Sequence, residues 1–337
     1  MPIVLRPLRL PDDYAEIAAL LNTYWSEPTS AGRLEEDDAK LYEVGHTYLD
    51  ENGMLGGYDR TRRVAVDPAG RIVGYVWAWR APWTEPGHLN FTLVAGEDVR
   101  GRGVGSMLLQ HARAWGEALG AVKLVTEVWD DRPDDLRFAE RRGFAVERHA
   151  FQSVLRLDRD LPESSAEDET LAALEREGLR YTTLAEEPGE ESERKLHALY
   201  QETMFDIPGF TGEVPVFEEW RKWYLQPDGY APEQVLIVAD GERYVGVSNV
   251  IYKAATNGMY HEYTGVSRSH RGRRVGRALK LLARQLAKRR GADYIRTDND
   301  SLNAPILRIN RSMGYEPLRG SYRIVADLAA VPTQGHE

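Results

Sequence analysis

Arg100-Gly101-Arg102-Gly103-Val104-Gly105 decides the fold, because the chain contains it twice: Arg271-Gly272-Arg273-Arg274-Val275-Gly276 stands 171 residues further on. The same shift carries Gly120-Ala121 onto Gly291-Ala292 and Gly143-Phe144 onto Gly314-Tyr315, with no gap from residue 100 to 144. Upstream, Val73-Gly74 falls on Val245-Gly246, so one residue is gained or lost in between. A repeat this long is not a solenoid period and reads as domain duplication.

Working outward, each copy follows a predicted strand (Leu89–Ala95, Met259–Val266) and opens a predicted helix (Gly103–Leu119, Arg274–Arg289). The helices carry apolar stripes through Val104, Leu108 and Ala112, and through Val275, Leu279 and Leu282. A further strand and a short helix come next in both halves, and a hairpin precedes each. The order implies an α/β (α+β) class with two tandem domains. We place them at 1–160 and 161–337, since residues 158–170 are rich in Asp, Glu, Ser and Pro and suit a linker.

The first N–H groups of a helix lack partners and carry partial positive charge. Glycines let the backbone approach a ligand, and Arg100 and Arg102 add cations. The sum suits a pyrophosphate. No Lys-Ser/Thr follows the glycines, which disfavours a Walker loop, and a third glycine for a dinucleotide fingerprint is missing.

Composition narrows the class. The 337 residues are 42% hydrophobic and 28% charged, ordinary globular values. No apolar run is long enough to span a bilayer. The start, Met1 to Arg6, lacks the marks of a signal peptide. With no cysteine, disulfides, thiolate metal sites and a cysteine nucleophile are excluded, and the cytoplasm is the expected location. The net charge of −10 argues against a nucleic-acid partner. The eight histidines show no metal-ligand spacing, so no metal is expected.

The pattern Arg-x-x-Gly-x-Gly at Arg100, Gly103 and Gly105, with its flanking elements and the closing Gly143-Phe144, resembles the acyl-CoA signature of the GNAT superfamily of N-acetyltransferases. The second half resembles it through Arg271, Gly276, Asn303 and Met313-Gly314-Tyr315. The layout is similar to that of tandem, mycothiol-synthase-like members. The resemblance implies a mixed, mostly antiparallel sheet flanked by helices in each domain. It implies acetyl-CoA as cosubstrate, its pyrophosphate on Arg100, Gly101, Arg102, Gly103, Val104, Gly105 and Ser106, and on Arg271, Gly272, Arg273, Arg274, Val275, Gly276 and Arg277. The pantetheine arm then pairs with the strand backbone near Val94-Ala95 and Gly265-Val266, and Asn303 is a cofactor-side contact. An amine of a small molecule attacks the thioester directly. Arg274 departs from the pattern, standing where a glycine belongs.

Amine attack needs a proton acceptor. Glu262 sits mid-strand in Tyr260-His261-Glu262-Tyr263-Thr264, where an unpartnered carboxylate is unfavourable without a purpose. Alternation puts Tyr260, Glu262 and Thr264 on one face and His261, the alternative base, on the other. The family often has a glutamate base on this strand. A structural ion pair and a substrate contact remain open for Glu262. The repeat register sets Phe91 opposite it, leaving Glu127 as the first half's candidate for polar chemistry. The tyrosine the family often has before the closing glycine is absent: Ala139 and Asn310 stand there, with Tyr263, Tyr315 or Tyr322 as substitutes. The second half is therefore the favoured catalytic domain. Asp300 is expected to cap the following helix, Met204–Phe210 to line an acceptor pocket or merely pack, and Lys280 to join the arginines of the second loop. The alternative function is a non-catalytic acyl-CoA-binding or regulatory protein, as monomer or homodimer.

Overall fold

The computed structural model describes residues 2–25, 28–157, 165–208, 210, 214–227 and 229–332. In chain order the first half forms β1 (Val4–Arg6), α1 (Tyr14–Leu21), α2 (Ala31–Asp38), β2 (His46–Leu49), β3 (Leu55–Val66), β4 (Ile72–Arg80), β5 (His88–Ala95), α3 (Val104–Leu119), β6 (Lys123–Trp129), α4 (Pro133–Glu140) and β7 (Ala145–Arg156). There follow α5 (Ser165–Arg176), β8 (Leu179–Thr183), α6 (Glu190–Thr203), α7 (Phe217–Tyr224), β9 (Val235–Asp240), β10 (Arg243–Lys253), β11 (Gly258–Val266), α8 (Val275–Arg290), β12 (Tyr294–Asp300), α9 (Ala304–Ser312) and β13 (Glu316–Asp327).

Two compact units result: Met1–Arg148 with Ser321–Glu337, and His149–Gly320. They are not the contiguous halves 1–160 and 161–337 that the repeat suggested. The strand completing the first unit comes from the C-terminal end: Ser321–Asp327 of β13 pairs antiparallel with Trp129–Lys123 of β6. The corresponding strand of the second unit comes from β7, where Ala150–Arg156 pairs with Asp300–Tyr294 of β12. The closing strands are exchanged. Of the expected linker, residues 158–164 lie outside the described residues, and Ser165 onward is already α5.

The first unit's sheet runs β1-β3-β4-β5-β6-β13, parallel only between β5 and β6. The second runs β7-β12-β11-β10-β9-β8, parallel only between β11 and β12. Both are mixed, mostly antiparallel and flanked by helices. On one face of the first sheet, Leu89, Phe91, Val76 and Ala78 pack with Leu108 and Leu109 of α3. On the other, Tyr75 and Val94 pack with Ile17, Leu20 and Leu21 of α1. In the second unit Val238, Val245 and Met259 pack on α8, and Val247, Ile237 and Tyr263 on α6 and α7. Among the described residues no helix is long and apolar enough to cross a membrane.

Candidate functional site

In both units the parallel pair opens like a fork. β5 and β6 pair from His88↔Lys123 to Asn90↔Val125, and β11 and β12 from Gly258↔Tyr294 to His261↔Thr297. Beyond those points β5 and β11 keep their partners on the far side, β4 and β10, while their other edges have no strand neighbour among the described residues. Backbone N–H and C=O groups on such an edge are available to an extended ligand.

The loop after each strand has one geometry. Gly101 and Gly103 take φ of 74° and 79°, and Gly272 and Arg274 take 78° and 65°. A Cβ on any of these three glycines meets nothing within 4 Å. Backbone conformation, not space, therefore selects glycine there. Arg274 adopts the left-handed conformation all the same, so the altered loop keeps its path. The helical ladders begin with Met107 N–H on Gly103 carbonyl (2.9 Å) and Ala278 N–H on Arg274 carbonyl (3.0 Å). The N–H groups ahead of them point out of the helix, as an anion site requires.

The loops differ in their surroundings. In the first unit, Val94, Ala95 and every residue from Arg100 to Ser106 line one cavity of about 1460 Å³. Arg100 has an ion pair with Asp135 (3.4 Å), and Ser106 Oγ accepts from Arg142 (2.7 Å). Arg142 stacks 3.7 Å from the Phe138 ring centroid, and burial and neighbouring Arg141 lower its pKa. Arg102 is exposed, with no ion pair among the described residues. The residues present fit a pyrophosphate here: a left-handed loop, unpartnered N–H groups and arginines around an open cavity.

In the second unit the loop cations are already engaged. Arg271 donates to the Val266 carbonyl (3.2 Å) and pairs with Asp206; Arg268 also binds Asp206 (2.8 Å). Hydrogen bonds from Arg268 and Arg271 hold the Asp206 carboxyl below its usual range. Arg273 pairs with Glu177 (2.8 Å), and Arg277 donates to Ser312 (2.8 Å). Arg274 is exposed, without an ion pair among the described residues. Gly265 has no room for a side chain, since a Cβ would stand 2.6 Å from Thr203 Oγ1. Lys280 does not join this cluster. It is wholly buried, donates to Thr297 Oγ1 (3.3 Å), and burial brings its pKa down to about 7.

Glu262 has no counterpart in the first unit. β10 and β11 pair Asn249↔Tyr263 and then Val250↔His261, so Glu262 is the extra residue of a β-bulge. The first unit's equivalents, Trp77↔Thr92 and Ala78↔Phe91, follow without a break. Phe91 therefore matches His261, not Glu262: the second half gains a residue here, opposite in sense to the net one-residue loss that the shift from 172 to 171 shows. A bulge also breaks alternation. Thr264 turns to the His261 side, both within reach of Ser248 Oγ (3.3 and 3.1 Å). The charge of Glu262 instead reaches Tyr200, Tyr224 and Tyr260.

Glu262 is exposed and has no ion pair among the described residues. Desolvation raises its carboxyl above the usual range; Lys253 opposes this and Asp298 adds to it. His261 is buried between Ser248 and Tyr315 Oη (3.0 Å), and burial and Lys280 keep it neutral. That sealed position makes it the poorer base. Of the substitute acids, Tyr315 is tied to His261 and Tyr263 to Thr203 (2.7 Å), and burial raises both pKa values. Asn310 is buried and bonds Asn299 (2.8 Å).

Two smaller expectations shift. Asn303, not Asp300, is the N-cap of α9, accepting from Ile306 N–H (3.5 Å), while Asp300 accepts from Leu302 N–H (2.8 Å). In Met204–Phe210, Gly209 lies outside the described residues, and the segment's clearest role is Asp206 binding the loop arginines. Sequence reading gave Asp206 no role of its own and passed over Lys253; only the spatial neighbours of Arg271 and Glu262 reveal them.

The profile of the Acetyltransferase (GNAT) family matches residues 17–144 and again 194–315. A mycothiol acetyltransferase of Acidothermus cellulolyticus is 27% identical over 238 residues, 66% of this chain and 67% of that protein. A streptothricin acetyltransferase of Streptomyces lavendulae is 33% identical over 81 residues, 24% of this chain and 42% of that protein. Among solved structures, a GCN5-related N-acetyltransferase from Sphaerobacter thermophilus covers 97% of this chain and 96% of its own, with a TM-score of 0.66 and 20% identity. A tandem GNAT protein from the clavulanic acid biosynthesis pathway covers 97% and 99%, with a TM-score of 0.59 and 16% identity. With the forked strand, the left-handed loop and the family profile each present twice, the chain belongs to the GNAT acetyltransferase family as a tandem member.

Proposed function

We propose that this acyltransferase moves an acetyl group from acetyl-CoA to the primary amine of a small molecule, in the cytoplasm, with the second unit as the working centre. Acetyl-CoA supplies the activated acetyl thioester. In the second unit the loop N–H groups and Arg274, exposed and without an ion pair among the described residues, would hold the pyrophosphate, and the edge of β11 past His261 would orient the arm. The observation that carries the reading is Glu262: a bulged carboxylate at the mouth of the fork, without an ion pair among the described residues, its affinity for a proton raised. Such a group accepts the proton that an ammonium must lose before its nitrogen lone pair can attack. Tyr263 and Tyr315 are both buried and hydrogen-bonded, and in this reading solvent protonates the departing thiolate.

The first unit supports a second reading, acyl-CoA binding without transfer. Its cavity is large and its loop intact, while the bulged carboxylate is missing. One experiment separates the two: acetyl-CoA with a panel of primary amines, followed by release of free thiol. Release with at least one amine, lost in Glu262→Gln, supports transfer in the second unit. Acetyl-CoA binding without thiol release from any amine replaces it with the binding reading.

A further inference from the structure

A smaller cavity of about 280 Å³ lies in the first unit beside the large one. The two share Tyr24, Phe91, Thr126 and Glu127. The small one takes Asn90 and Thr92 from β5, side chains alternating onto the α1 face; Phe91 lines both, and the large one continues along Leu93, Val94 and Ala95 toward the loop. The cavities adjoin where β5 and β6 part, just past Asn90↔Val125.

The small chamber is walled by Trp25, Trp79 and Trp129 and has two charged groups, Glu127 and Arg323. Arg323 is covered twice, by Glu85 (2.9 Å) and Glu147 (2.5 Å). Among the described residues Glu127 has no ion pair and accepts from Ser321 Oγ (2.9 Å), while Arg323, its cross-strand neighbour, is turned to Glu85 and Glu147. The uncompensated charge facing the chamber is therefore negative, among aromatic faces that favour a cation. A ligand carboxylate would meet Glu127 and an arginine already neutralised. The volume lies near the lower end of the ~300–1,000 Å³ usual for small-molecule sites.

The second unit closes the same place. Thr92 pairs with Trp77, and its counterpart Tyr263 pairs with Asn249. Tyr263 is buried, stacks 4.0 Å from Tyr200 and is tied to Thr203. A half-buried threonine leaves open what a tyrosine fills.

We propose that this chamber of the first unit binds an apolar primary amine without a carboxylate, its ammonium at Glu127 and its body against the tryptophans. The first unit thereby presents an acceptor of its own to its cofactor cavity. The proposal rests on the reading that the large cavity takes acetyl-CoA.

Calorimetry on the full chain tests it, with phenethylamine as probe and phenylalanine as the same body carrying a carboxylate. Phenethylamine is expected to bind at least tenfold more tightly than phenylalanine. Glu127→Gln should weaken it about tenfold, Thr92→Tyr should abolish its binding, and Thr92→Val should retain it. Equal affinity for the two compounds, no phenethylamine binding, or unchanged affinity in Glu127→Gln overturns the proposal. If Thr92→Tyr fails to fold, the isosteric Glu127→Gln decides alone. The chamber is scored by amine binding without acetyl-CoA, and the transfer reading by thiol release. Thiol release without chamber-dependent binding removes this inference and leaves the transfer reading; the reverse pattern keeps the chamber and removes transfer.

Discussion

β5 and β11 start alike and part at one residue. β5 runs past Phe91 without a break, and the face it shows to α1 has a chamber beside Thr92. β11 gains Glu262 at that level, bulges, and packs Tyr263 into the corresponding space. The loops differ in the opposite sense: the first lies open on a large cavity, while the second has its arginines bound by Asp206, Glu177 and Ser312. Duplication has kept the fork and the left-handed loop in both units, since these are properties of the backbone. The groups around them have changed independently, since each needs only local packing.

The largest expected effect is at Glu262. Glu262→Gln keeps the volume of the side chain and removes the proton acceptor; steady-state kinetics should show kcat lowered by ~10²–10⁴. In the parent protein kcat/KM should fall as pH drops through the raised Glu262 pKa, with the acid limb above the ordinary carboxylate range. In the variant that limb should vanish. An unchanged profile would move catalysis to the first unit and reverse the comparison.

Next comes Lys280, which stands where the first unit has Leu109, both buried. The folded protein holds its pKa near 7 against an ordinary 10.5. Between those values the unfolded chain keeps a proton that the folded one has shed, so stability rises with pH across that window. The penalty is full below pH 7 and gone above about 10.5. Lys280→Leu should stabilise the second unit by about 2–5 kcal/mol at pH 7, the gain shrinking toward pH 10 in denaturant titrations.

The smallest effect concerns the loops. Arg274→Gly should relieve a left-handed side-chain residue and stabilise by ~0.5–1 kcal/mol, with Gly103→Arg costing about the same in the first unit. Thermal melts of the two variants should move in opposite directions. If both destabilise, the arginine contributes something that its backbone angles do not show.

Much of this was legible in the sequence. The repeat fixed two domains, and the stripes of α3 and α8 and the strands before them stand within a residue or two of expectation. β7 and β13 were not legible: Glu147, Arg148, Arg319 and Arg323 break up their apolar alternation. The bulge was hidden, because the residue it adds is outweighed by a two-residue loss between β10 and β11, and the sequence shows only the net loss of one between residues 74 and 100. Glu262 was legible as a carboxylate inside an apolar strand, but its true neighbours were not. Asp206 is 65 residues from Arg271, and no spacing rule links them.

The exchanged strands bear on how the protein is made. Residues Ser321–Asp327 complete the first unit's sheet, contributing buried Ile324 and Ala326. During synthesis the first unit waits, one strand short, until the whole of the second has left the ribosome. The second, by contrast, has its closing strand waiting in β7 before its own first helix is translated. A strand that follows the whole of the second unit thus completes the unit begun first, and neither unit matures as a nascent chain cut at residue 160 would suggest.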